Sequence, residues 1–149
     1  MADMRTFGEW KFTCDESSTR EAYSKAEAGG ADTCSCNGCR NFVQVREKFF
    51  PPVFIEFLQS LGINSRKDGE VVHYGKQSPG LHNYGGWFHF VGQLHETGDF
   101  PVVTMRDDFT VWLQRASAPY LKALNGVPLV QVEWLSKMVP WVLQEEEPK

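Results

Sequence analysis

The stretch at residues 34–41, CSCNGCRN, constrains this chain most, because three of the four cysteines lie there within six residues. Cys36 and Cys39 have the CxxC spacing at which two thiolates can bind one metal ion, and Gly38 allows the turn between them to tighten. Cys34 adds a third sulfur within reach. Thiolates at this spacing favour zinc, so the stretch predicts most of a structural zinc site.

Cys14 is the predicted fourth ligand. Residues 9–14 alternate between apolar and polar side chains, which predicts a half-buried strand with Trp10, Phe12 and Cys14 on its inner face. A four-cysteine site would tether this strand to the cysteine stretch and add about two negative charges, which Arg40 and a helix N-terminus would offset. Alternatively, Cys14 is a small buried apolar residue, and a three-cysteine site would need another ligand.

A redox role competes with the metal site. A CxxC pair that opens a helix is typical of thiol oxidoreductases, because the helix N-terminus lowers the pKa of the first thiol. Here Cys36 and Cys39 would be the attacking and resolving thiols. No predicted strand leads into the pair as in a βαβ unit, and Cys34 would have no role. The spacing therefore favours the metal site.

Composition and charge indicate which kinds of partner and which cellular compartment are expected. The net charge of −4 and the pI near 5.5 make a nucleic-acid partner unfavourable, because such binding depends on neutralising phosphates. No apolar run approaches the roughly 20 residues that span a bilayer, and residues 1–5 lack the features of a signal peptide. We expect a cytoplasmic protein with no membrane association. Under reducing conditions, clustered cysteines indicate metal or redox chemistry rather than disulfides.

The rest of the chain predicts an α+β domain. Apolar residues at helical spacing predict helices over 40–50 and 52–61, joined at a proline corner. Short alternating segments predict an antiparallel sheet, with the two helices packed on one face and the zinc-stapled N-terminal segment beside them. The strands are expected near residues 70–75, 84–94, 102–104, 109–114 and 129–135. We expect one domain over 1–149, with 15–33 either a helix or a mobile insertion and 144–149 a frayed tail.

Residues 81–92, LHNYGGWFHFVG, form the second unusual stretch, because both faces of a strand there would be largely apolar. One interpretation is a ligand groove with aromatic walls and a few polar groups. Its candidate ligand-binding residues are His73, His82, Tyr84, Trp87 and His89. The alternative is core packing with hydrogen-bonded histidines. The four histidines have no compact spacing that would make them a metal-ligand set.

Three blocks of the sequence resemble a known group of proteins. The blocks are CSCNGCRN at 34–41, YGGWFHF at 84–90, and LVQVE at 129–133 together with PWV at 140–142. They resemble, in the same order, a group of small uncharacterised bacterial proteins, over most of the chain from Cys34 onward. The resemblance implies one compact domain and brings no activity, substrate or partner with it.

The sequence thus predicts a structural zinc-binding domain that acts as a binding module. Its partner would be a protein or a small ligand, bound through the aromatic sheet face. The alternative is an enzyme, either a thiol oxidoreductase through Cys36 and Cys39 or a hydrolase that uses a metal-bound water. The sequence leaves open whether the protein is an enzyme.

Overall fold

The computed structural model describes residues 2–95, 101–116, 119 and 121–149. These residues form an α+β fold with one seven-stranded sheet and three α-helices. The strands are β1 (Asp3–Phe7), β2 (Trp10–Cys14), β3 (Glu70–Ser78), β4 (Leu81–Leu94), β5 (Val103–Arg106), β6 (Phe109–Arg115) and β7 (Leu129–Pro140). The helices are α1 (Glu16–Lys25), α2 (Asn37–Phe49) and α3 (Pro52–Ser60). No helix in this described part is both long and apolar enough to cross a bilayer.

Strand β4 is the long central strand of the sheet. One of its edges pairs with β7, and its other edge pairs with β3 along the first half and with β2 near its end. Every pairing is antiparallel. The hairpin from β3 to β4 turns at Gly80, whose φ of +80° is a conformation that favours glycine. At Gly92 a Cβ would lie 1.9 Å from the carbonyl oxygen of Thr13, so only glycine allows β2 to approach there.

Helices α2 and α3 pack on one face of the sheet through an aromatic core. Phe42 of α2 stacks on Trp134 of β7 with ring centroids 5.6 Å apart, and Phe54 of α3 contacts Phe88 of β4 at 6.3 Å. The two helices meet at the prolines, as predicted, because Pro52 suits the first turn of α3. The predicted antiparallel α+β class with two helices on one face is therefore confirmed.

The segment at 15–33, predicted as a helix or an insertion, contains α1. Its N-cap is Asp15, whose side chain accepts a hydrogen bond from the backbone N–H of Ser18. Tyr23 of α1 is buried and donates its hydroxyl to the carbonyl of His89 in β4 at 2.7 Å. The helix is thus joined to the central strand. Strand β1 was not predicted, since its side chains are mostly exposed and show no apolar alternation.

Candidate metal centre

Three cysteines converge where α2 begins. Their sulfur atoms all lie within 4.8 Å of one another, and those of Cys34 and Cys36 are 3.2 Å apart. Cys36 is the N-cap residue of α2, and its sulfur accepts a hydrogen bond from the backbone N–H of Cys39 at 3.4 Å. An N-cap side chain normally bonds to the N–H three residues on, so the start of the helix holds the Cys36 sulfur against the backbone of Cys39. We call residues 34–39 the cysteine knuckle.

Cys14 does not belong to this cluster. It lies at the end of β2, opposite Gly92 of β4, and is fully buried, with its sulfur 3.7 Å from the carbonyl oxygen of Leu61. Burial raises the pKa of its thiol to about 11. The alternation of residues 9–14 predicted correctly that Cys14 points inward. The inner face of β2, however, packs on the apolar core, whereas the cysteine knuckle lies at the surface.

The three thiols of the knuckle differ in environment. Cys36 is exposed, and Cys34 and Cys39 are half-buried. Hydrogen bonds from the Cys39 thiol and from the backbone and thiol of Cys36 lower the pKa of the Cys34 thiol. Burial, together with the bonds to the other two thiols, raises the pKa of Cys39. The Cys34 thiol therefore ionises more readily than the Cys39 thiol.

Arg40 joins the knuckle to the C-terminal tail. Its Nε donates to the carbonyl of Ser35 at 3.0 Å, and its guanidinium forms a two-pronged ion pair with Glu145. Such paired contacts fix the orientation of both groups more strongly than a single bond does. The tail, predicted to fray, makes this contact at Glu145 and further contacts at Glu147.

Buried hydrogen bonds hold the knuckle against the sheet. The hydroxyl of Tyr84 in β4 donates to the carbonyl of Gly38 at 2.7 Å, and burial raises the pKa of this hydroxyl to about 12. Asn41 donates to the carbonyl of Pro140 at 3.0 Å and accepts from the N–H of Val142 at 2.7 Å. The start of α2 is thus attached to both β4 and the end of β7.

A chain of two histidines and a glutamate lies beside the knuckle. His73 Nε2 and His82 Nδ1 are 2.8 Å apart, and His82 Nε2 is 2.9 Å from Glu147 Oε1. Glu147 also accepts from the N–H of Gly80 at 2.8 Å. The sequence reasoning missed this pairing, because the four histidines show no compact spacing. His73 lies opposite Tyr84 in the β3–β4 pair, and His82 lies two residues before Tyr84, so the two histidine rings are diagonal neighbours with centroids 5.0 Å apart.

The residues predicted to line a ligand groove are mostly part of the interior. His82, Tyr84 and His89 are buried and bonded to protein groups, whereas Trp87 and His73 are half-buried. His89 Nε2 donates to the side-chain oxygen of Gln131 at 2.8 Å. The structure brings His73, His82 and Tyr84 together beside the knuckle, and it places His89 further along β4. The three buried side chains match the core-packing interpretation.

Buried His89 predicts a loss of stability in acid. Burial lowers its pKa, so the folded state resists protonation more than the unfolded chain, whose histidines titrate near about 6.5. The contribution of His89 is complete above that value and is lost as the pH falls toward its folded pKa. We expect the urea midpoint of unfolding to fall between about pH 7 and 5. His89→Gln should flatten this pH dependence. The control variant His95→Gln, at an exposed position, should retain it. Equal slopes of the urea midpoint against pH in the wild type and in His89→Gln would contradict the expectation.

Comparisons of the chain with protein-family models, with curated proteins and with solved structures found no match. The arrangement of the cysteine knuckle and its surroundings therefore carries the functional proposal.

Proposed function

We propose that this chain is a zinc-binding domain and that Cys34, Cys36 and Cys39 hold the metal ion. The observation that carries the proposal is the convergence of three sulfurs within 4.8 Å of one another. With Zn–S bonds of about 2.3 Å in a tetrahedral site, bound sulfurs would lie about 3.8 Å apart. Small side-chain adjustments would bring the three sulfurs to this spacing. Three thiolates favour zinc over magnesium or calcium, which take oxygen ligands.

The surroundings suit such an ion. Three thiolates around Zn²⁺ leave one net negative charge, and the N-terminus of α2 offsets it with its unpaired N–H groups. The N–H of Cys39 already points at the sulfur of Cys36. Tyr84 and Asn41 hold the same turn against the sheet, so the ligands are positioned before the metal binds.

We further propose a structural role for the ion and a binding role for the domain. The three ligands all belong to one short segment, so the ion would order the knuckle rather than tether β2. A depression runs along the later part of α2, from Gln44 to Phe49, and two of the side chains that line it, Met138 and Val142, are 47% and 51% exposed. Exposed apolar side chains in a depression favour a protein partner over a polar small ligand. The aromatic sheet, which the sequence suggested for this task, is largely buried.

Metal content tests the proposal directly. Protein purified without added metal should carry one zinc ion per chain by elemental analysis. Removal of that ion by a chelator should expose three reactive thiols, with the aromatic core still folded by near-ultraviolet circular dichroism. A purified, fully reduced protein that carries no metal and does not take up zinc would rule the proposal out.

One observation favours thiol redox chemistry as a second candidate. The exposed Cys36 is the N-cap residue of α2, and its sulfur lies 3.2 Å from that of Cys34. A disulfide between two knuckle cysteines would then form and break reversibly. Under the zinc proposal, equilibration with glutathione should give a disulfide only after the metal has been removed. Disulfide formation at equal rates with and without zinc would favour the redox candidate.

A further inference from the structure

The three-sulfur site requires a fourth ligand, because zinc in proteins is four-coordinate. Cys14 is buried elsewhere, so the fourth ligand must come from another residue or from water. His73 of β3 packs against the knuckle. A Cβ built on Gly38 would lie 3.1 Å from His73 Cβ and 3.7 Å from His73 Nδ1. Gly38, which lies between Cys36 and Cys39, is therefore next to the base of the imidazole, and Nδ1 is among the three His73 atoms nearest to it.

The histidine chain sets which nitrogen of His73 carries the proton. The ionised carboxylate of Glu147 can only accept a hydrogen bond, so His82 Nε2–H donates to it. In neutral His82 the other nitrogen, Nδ1, then accepts, and His73 Nε2–H is its donor. His73 Nδ1 is left with a free lone pair. This atom makes no hydrogen bond to any residue within the described ranges.

We propose that His73 Nδ1 is the fourth ligand of the metal site, with His82 and Glu147 as positioning residues. The proposal rests on the proposed zinc-binding function and defines a site of three cysteines and one histidine. Metal-binding histidines usually donate their second ring N–H to a protein group that orients the ring, as His73 does through Nε2. Such a ligand would join α2 to β3 and thereby link the knuckle to the hairpin.

Metal binding by His73 requires a movement. Among the described residues, the ligand atoms that lie within 4.8 Å of one another at this site are the three sulfurs, and no nitrogen of His73 is among them. The imidazole and the knuckle must therefore approach each other around the ion. Gly38 has no Cβ to block this approach, and His73 is half-buried at the end of its hydrogen-bonded chain. Gly38→Ala should hinder the same movement.

Cadmium-113 NMR of the full chain labelled with ¹⁵N-histidine tests the assignment. The ¹¹³Cd-loaded wild type should show a one-bond coupling between the metal and His73 Nδ1, with Nε2 protonated. A cadmium resonance typical of three thiolates without any coupling to a histidine nitrogen would overturn the inference and leave the three-cysteine site intact. A chain that binds no cadmium would instead overturn the proposed function itself.

Cobalt affinity of variants supplies the second measurement. His73→Ala should weaken Co²⁺ binding and shift the d–d bands, while the sulfur-to-cobalt charge-transfer bands persist. Glu147→Ala should weaken binding by about 10-fold, the low end for residues that orient a ligand. The control His95→Ala, at an exposed position, should match the wild type. Unchanged d–d bands and affinity in His73→Ala would contradict the proposal and favour water in the fourth position, as a hydrolytic site requires.

Discussion

Cys39→Ser should abolish stoichiometric zinc binding, whereas Cys14→Ser should leave the zinc content of the wild type unchanged. Cys39 belongs to the group of sulfurs within 4.8 Å of one another, and Cys14 is buried beside Leu61. A serine hydroxyl stays protonated at neutral pH and is a poor zinc ligand, so the loss of one of three thiolates removes most of the affinity. Elemental analysis of both proteins, purified in parallel without added metal, measures the effect.

The paired variants also separate a metal ligand from a core residue. Cys14→Ser places a hydroxyl in the apolar interior, so its thermal midpoint should fall although its zinc content does not. Cys39→Ser should lower the midpoint less, because the knuckle lies outside the aromatic core. If the Cys14 variant lost its zinc while folded, the four-cysteine site predicted from the sequence would be restored. If Cys39→Ser kept a full equivalent, the knuckle would not be the site.

Phe42→Ala should destabilise the fold by about 3–5 kcal/mol, the range for removing a fully buried phenylalanine. Phe42 is fully buried and contacts the rings of Phe50, Tyr84 and Trp134. These rings cannot close the resulting cavity, because each is held by other neighbours. For a chain of this size the loss corresponds to a fall of roughly 6–20 °C in thermal midpoint. Urea unfolding followed by tryptophan fluorescence measures the free energy.

A matched phenylalanine provides the control. Phe57 of α3 is half-buried and stacks on Phe7 of β1, so Phe57→Ala should cost only about 1 kcal/mol. Below its transition, Phe42→Ala should still bind one zinc ion per chain, although Phe42 and the knuckle share α2. Equal losses in the two variants would show that the aromatic cluster does not dominate the stability of the core.

Local sequence patterns correctly predicted several strands and helices. The alternation at residues 9–14 predicted a strand with Trp10, Phe12 and Cys14 buried, and β2 has this pattern. The proline corner between the two helices was correct, and so was the antiparallel sheet. Both follow from spacing along the chain, because apolar periodicity and proline act within a few residues of where they stand.

Only the part of the candidate site that lies within one short segment could be predicted from the sequence. Cys34, Cys36 and Cys39 lie within six residues, so almost any turn that starts a helix there brings their sulfurs together. Cys14 lies apart from the other three sulfurs for a physical reason: alternation predicts that a side chain points inward and does not predict which residues surround it there. For the same reason, the aromatic block at 81–92 did not show whether its side chains line a groove or pack in the core, since apolar faces suit both.

What the sequence alone determined is therefore the three-cysteine knuckle, the aromatic composition of the core and the α+β class. Only the tertiary structure decided that Cys14 lies in the core and that His73, His82 and Glu147 form a hydrogen-bonded chain beside the knuckle. Those contacts join residues up to 65 positions apart, as between His82 and Glu147. They depend on strand register and on where the tail crosses the hairpin, and neither is encoded in the spacing of nearby residues.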